Sequence, residues 1–214
     1  MEKDSFFDTS VVINYASFSK QINHKINTLC FDYVHNKKGR YILCYYVRDE
    51  ILSRIKKRKI IHQEVISKLK DIEYNIGGAE ISKSLSGKDI IQAKKLYELH
   101  KNNAADKVSD YFLHERIAFE KKIEFFLETL VNEMLLEKGD IDTKIVNLLY
   151  ETINEFGDCR VLASALQIQK ERPVFFLVTV DKEHFNPNDY SFIKEDLRFK
   201  EYKFPELNNL LYNH

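Results

Sequence analysis

Pro173-Val174-Phe175-Phe176-Leu177-Val178-Thr179-Val180-Asp181 is the most apolar stretch of the chain, and it follows directly on a helical pattern. Over residues 158–170, Val161, Leu162, Ala165 and Leu166 share one helical face. A near-continuous apolar strand placed after a helix needs cover on both faces, which a parallel sheet between helix layers supplies. The start of the chain repeats the theme. Asp4-Ser5-Phe6-Phe7 runs into Asp8-Thr9-Ser10, a strand that ends in a polar turn and opens a helix. Residues 19–35 carry Ile22, Ile26, Leu29, Cys30 and Tyr33 at helical spacing before residues 36–39 break the pattern. Tyr41-Ile42-Leu43-Cys44-Tyr45-Tyr46-Val47 reads as a second buried strand, leading into Asp49-Glu50-Ile51-Leu52 and a basic helix over residues 54–59.

The middle, from about residue 62 to residue 156, reads as helical, without a convincing strand. Ile123, Phe126, Leu127, Leu130, Met134 and Leu135 repeat every three or four residues, with Glu120, Glu124 and Glu128 off the apolar stripe. Gly77-Gly78, Ser86-Gly87 and Gly139-Asp140 punctuate the region. Near the end, residues 202–204 read as a short strand and Pro205-Glu206-Leu207 as a helix start. The expected fold class is α/β: three layers, α/β/α, around a parallel sheet of four to five strands. The whole chain, residues 1–214, is expected to form one domain with a helical insertion at about 62–150.

Composition excludes several alternatives. With 214 residues there is enough chain for a real core. Only 6 Gly and 3 Pro, with 31% charged residues, argue against an all-β sandwich, a collagen-like repeat and low-complexity disorder. Three scattered cysteines make neither a disulfide framework nor a CxxC zinc site, so reduced thiols in a cytoplasmic protein are expected. The opening Met-Glu-Lys-Asp-Ser lacks the features of a signal peptide, and no stretch approaches about 18 uninterrupted apolar residues. The 33 Lys+Arg balance the 33 Asp+Glu, but unevenly along the chain. Residues 37–70 hold eleven Lys/Arg against three acids, and residues 115–158 hold eleven acids against five bases. Such an arrangement can hold a phosphate backbone on one patch and divalent cations on another, although charge runs are most often solvated helix faces.

Two strands end on a carboxylate, Asp8 and Asp181, while Asp158 opens a helix and Glu50 lies just past the second strand. Taken singly, Asp8 and Asp158 read as helix N-caps, Glu50 as a surface residue and Asp181 as a turn residue. In a parallel sheet, however, all four gather at the carboxyl edge, where open α/β sheets build their sites. Four acids so close raise one another's pKa unless a counter-charge is present, and a hard divalent cation such as Mg²⁺ or Mn²⁺ supplies one. A carboxylate-held cation can polarise a phosphodiester and activate its nucleophile.

The wording around these acids resembles that of the PIN-domain nucleases. Phe7-Asp8-Thr9-Ser10-Val11, with Tyr15 following, is similar to the family's opening motif. Asp158-Cys159-Arg160-Val161-Leu162-Ala163-Ser164-Ala165 resembles its helix carrying the third acid, and Leu177-Val178-Thr179-Val180-Asp181-Lys182-Glu183-His184-Phe185 its strand-end motif with the fourth. Val47-Arg48-Asp49-Glu50-Ile51-Leu52 fits the place of the second, with Glu50 a better match than Asp49. The likeness covers roughly residues 4–60 and 150–212. It does not cover the helical middle, and the 108 positions from Glu50 to Asp158 exceed what compact members of the family place there.

The resemblance implies that Asp8, Glu50, Asp158 and Asp181 hold one or two Mg²⁺ or Mn²⁺ ions. It also implies that Ser10 and Thr179 orient carboxylates or water from behind. The expected activity is metal-dependent endonucleolytic hydrolysis, with RNA as the substrate and 5′-phosphate and 3′-hydroxyl products. Arg54, Lys56, Lys57, Arg58 and Lys59, starting four residues after Glu50, are the expected phosphate contacts. Two alternatives stand beside this: a PIN-like binding module with weak catalysis, and the toxin of a toxin–antitoxin pair with an inhibitory protein partner. The middle helices serve equally as a wall of a substrate groove or as a homodimer surface.

Other chemistries find less support. His62, His100 and His114 lie in the middle without HxxxH spacing, and Gly77-Gly78 is no phosphate loop. A nucleophilic pairing of Cys159 with His184 has nothing else behind it, and Tyr41, Tyr45 and Tyr46 read as core or sheet-face residues rather than base-stacking platforms.

Overall fold

Phe6 and Phe7 are adjacent in sequence and both fully buried, as are Ile42 and Leu43, and Leu177 and Val178. Neighbouring residues of a strand point to opposite faces, so these strands are covered on both sides. The computed structural model, which describes residues 3–17, 24–172 and 175–212, shows the cover. Five strands form one sheet: β1 (Asp4–Phe7), β2 (Tyr41–Cys44), β3 (Val131–Leu135), β4 (Phe175–Thr179) and β5 (Glu206–Asn209). All pairings are parallel, in the order β3-β2-β1-β4-β5, with Phe7 opposite Val178. Helices on both faces complete a three-layer α/β/α fold. Each fully buried Phe, Ile or Leu of the inner strands contributes about 1.5–3 kcal/mol of apolar burial.

The connections explain the layers. β1 leads through α1 (Thr9–Ala16) and α2 (His24–Asn36) to β2, and the chain then steps outward to β3. From β3 it crosses back through α6 (Thr143–Ile153) and α7 (Phe156–Glu171) to β4, on the far side of β1, and through α8 (Pro187–Glu195) to β5. Right-handed crossovers running in opposite directions put α1 and α2 on one face and α6, α7 and α8 on the other. In keeping with this, α1 packs on α2 and α6 on α7. The direction reverses between β1 and β4, the switch point where open α/β sheets leave a crevice at their carboxyl ends.

The chain divides into two compact units, Met1–Ile51 with Lys122–His214, and Leu52–Lys121. The sheet belongs to the first. The second takes residues from α3 (Tyr45–Lys70) and α5 (Ala105–Phe125), and all of α4 (Gly87–His100). Its core gathers Ile61, Val65, Ala93, Val108 and Phe112. Ser86 opens α4 with a capping box in which the Ser86 hydroxyl and the Asp89 carboxylate each bond the other's backbone N–H.

Four expectations are corrected. The second strand stops at Cys44, and Tyr45 already belongs to α3. The amphipathic helix expected through Leu135 ends at Phe125, passes through one wide turn and becomes β3, so the middle does contain a strand. At the C-terminus residues 202–204 are irregular, whereas Glu206–Asn209, expected to start a helix, form β5. Both missed strands are sheet edges and half polar; Glu133 of β3, for example, pairs with Arg40 at 2.8 Å and Arg172 at 2.5 Å. Pro205 precedes β5, where a missing N–H costs the ladder nothing. Residues 19–23 of the expected first helix, and Pro173-Val174, lie outside the described residues. No helix among those described is long and apolar enough to cross a membrane.

Candidate metal centre at the carboxyl edge

Asp8 follows β1, and its N–H still bonds Val178 O at 3.0 Å, which extends the β1–β4 ladder by one residue. The backbone of Asp8 occupies the N-cap position of α1, yet its carboxylate caps nothing. Its Oδ2 accepts instead from the Ser10 hydroxyl at 2.5 Å and the Thr179 hydroxyl at 2.9 Å. Two strand ends and the first turn of α1 thus fix one carboxylate, 5% exposed, at the switch point. Asp158 is not a cap either: Glu155 takes that place in α7, and the Asp158 Oδ2 pairs with His184 Nδ1 at 2.6 Å.

Asp181 holds the loop after β4. Its Oδ1 accepts from the N–H groups of Glu183 and His184 at 2.6 and 2.9 Å, a turn that carries the imidazole back toward Asp158. Asn209 of β5 clamps the same loop, donating to Asp181 O and Phe185 O. Glu50, in the first turns of α3, accepts from the Thr9 hydroxyl at 2.8 Å. Asp158, Asp181 and His184 each present one ligand atom, all within 4.8 Å of one another. His184 was not singled out by the histidine spacing. The readable signal was local: an Asp–x–x–His after an apolar strand, in which the aspartate folds the loop that delivers the histidine.

Electrostatics follow from this crowding. Burial pushes the Asp8 carboxyl up to about 6, against the pull of the Ser10 and Thr179 hydroxyls, and Glu50 and Asp181 add to the rise. Asp158 is pushed well above the ordinary carboxylate range by burial, then by Asp8 and Asp181, with His184 opposing. Asp8, Asp158 and Asp181 receive no lysine or arginine ion pair among the described residues. The donor set of carboxylates with one imidazole suits a divalent cation, whose charge would remove the mutual repulsion.

No family model, curated protein or solved structure matches the chain. The likeness to PIN-domain nucleases therefore rests on the motif wording.

The five basic residues expected to touch phosphate lie in the second unit. Three of them are engaged there: Arg54 and Lys57 lie 3.8 and 3.6 Å from Asp89, and Arg58 lies 2.7 Å from Glu115 with its guanidinium over the Phe119 ring. Lys56 and Lys59 are exposed. The Cys159–His184 nucleophile is not formed, since His184 faces Asp158 and burial pushes the Cys159 thiol up to about 11. Cys30, Cys44 and Cys159 are all free and buried.

Proposed function

We propose that the chain is a divalent-metal-dependent endonuclease acting on RNA. The observation that carries this reading is the set of four carboxylates, on four separate elements, held at one sheet edge with two of them pushed toward protonation. Asp158 and Asp181, with His184 beside them, would hold the cation, and Asp8 and Glu50 would face it from β1 and α3. What a Mg²⁺ or Mn²⁺ ion supplies when bound is Lewis-acid polarisation of a phosphodiester and a water competent to attack at neutral pH.

The chain's own groups have definite tasks. Ser10 and Thr179 fix the Asp8 carboxylate in one rotamer, so that its other oxygen keeps its aim. Thr9 does the same for Glu50. Asp8 and Asp158 bind protons more tightly than ordinary carboxylates, so loading the site with a cation releases protons. The choice of RNA, and of 5′-phosphate and 3′-hydroxyl products, follows the resemblance to PIN-domain nucleases.

The test is cleavage of labelled single-stranded RNA, hairpin RNA and single-stranded DNA with Mg²⁺ or Mn²⁺. The expected result is RNA cleavage that chelation abolishes and that Asp8→Asn reduces by about 100-fold or more. Cleavage undiminished in Asp8→Asn and Asp181→Asn would overturn the assignment.

A further inference from the structure

At the opposite edge of the same sheet lies a cleft of about 570 Å³. Its rim is built from the amino ends of strands: Lys3 precedes β1, Phe175 starts β4 and Glu206 starts β5. It is remote from the carboxylates. Asp158 and Gln169 are both on α7, eleven residues apart, which is about 16 Å along a helix.

Three features of the lining point to one kind of ligand. Among the described residues of the lining, four lysines, Lys3, Lys194, Lys200 and Lys203, face a single acid, Glu206, which pairs with Lys3. Lys194, Lys200 and Lys203 are exposed and present ammonium groups suited to phosphate. Half-buried Tyr202 and Phe204 flank Lys203, and Lys170 Nζ lies 5.1 Å from the Tyr202 ring centre. The wall also contains Gln169, 6% exposed, whose amide oxygen is buried without a hydrogen-bond partner among the described residues. A buried amide left unsatisfied costs about 1–3 kcal/mol unless something bonds it. A nucleobase edge offers a donor beside an acceptor, the complement of a glutamine amide.

We propose that this cleft binds a nucleoside phosphate, with the phosphates on Lys194, Lys200 and Lys203, the base against Tyr202 and Phe204, and its polar edge on Gln169. The volume falls within the roughly 300–1,000 Å³ of small-molecule sites. This site is independent of the metal-dependent activity proposed above, since none of the carboxylates contributes to it.

The experiment is calorimetric titration of ATP into the full chain in excess EDTA, which keeps the carboxylate edge metal-free. Saturable binding is expected, weakened by about tenfold or more in the Lys200→Glu/Lys203→Glu double variant and unchanged in Asp8→Asn. Gln169→Met, close in shape, should bring ATP affinity down toward that of inorganic tripolyphosphate. Both lysines are exposed, so the double variant tests binding rather than folding, and its circular dichroism should match the parent's. Absence of saturable ATP binding, tripolyphosphate binding as tightly as ATP to the parent, or full affinity in the double variant would overturn the proposal.

Discussion

Two buried acids in this chain, Asp8 in the first unit and Glu64 in the second, teach opposite lessons about burial. Glu64 is 1% exposed, and its carboxylate accepts from the Tyr74 hydroxyl, the Gly77 N–H and the Ser82 hydroxyl at 2.5–2.6 Å. Burial pushes its pKa up, yet Ser82, Tyr74 and Gly77 together hold it below the ordinary value. Asp8 is scarcely more exposed, but it receives two hydroxyls on one oxygen and faces other acids, and its carboxyl rises to about 6. A structural carboxylate has its charge answered by donors within the fold. The Asp8 charge is left partly unanswered, which is costly in a protein and useful only where something else arrives to bind it.

The sharpest way to break this contrast is to remove both charges. Glu64→Leu strands three donors around a buried position and should cost about 3–5 kcal/mol, read by urea unfolding as a drop in midpoint at constant slope. Asp8→Asn should act in the other direction. A folded-state pKa near 6 against an ordinary value of 3.8 means that the ionised wild-type residue opposes folding above pH 6. The metal-free variant should thus gain up to about 3 kcal/mol at pH 7.5, a gain that vanishes below pH 4.

The sign of this linkage gives a second observable. Asp8 and Asp158 bind protons more tightly in the folded state, so their contribution is fully present below their unfolded pKa values and is lost as pH rises through the folded ones. The metal-free wild type should therefore melt at a lower temperature at pH 7.5 than at pH 4.5, and Mn²⁺ should restore the difference at pH 7.5. The smallest expected effect belongs to Thr179→Val, which deletes one hydroxyl from Asp8, and with it the acceptor of the Asp181 N–H, while keeping the buried volume. It should weaken Mn²⁺ binding by about tenfold and leave the fold unchanged.

The inner part of the fold was legible because it is buried on both faces. β1, β2 and β4 are apolar runs, and the acids that follow β1 and β4 stand out against them. The edges were not. β3 carries Asn132 and Glu133, and its apolar residues continue the three-to-four spacing of α5, so periodicity alone assigns it to the helix. β5 is Glu-Leu-Asn-Asn after a proline, a wording that suits a helix start until β4 is known to lie beside it. At the site, the four acids could be read from strand ends and motif wording. His184 was legible only through the Asp–x–x–His wording after β4, because its place beside Asp158 depends on the turn that Asp181 imposes through two backbone bonds. The basic run of α3 was legible as charge, but its pairing with Asp89 and Glu115 depends on residues 32 to 57 positions away.

A calorimetric titration of Mn²⁺ at pH 6.5 tests most directly whether the carboxyl edge binds a divalent cation. Run in two buffers of different ionisation enthalpy, it should show saturable binding with net proton release, lost in Asp158→Asn and in Asp181→Asn. Absence of binding heat at millimolar Mn²⁺, or binding that both variants retain with no proton released, would contradict it.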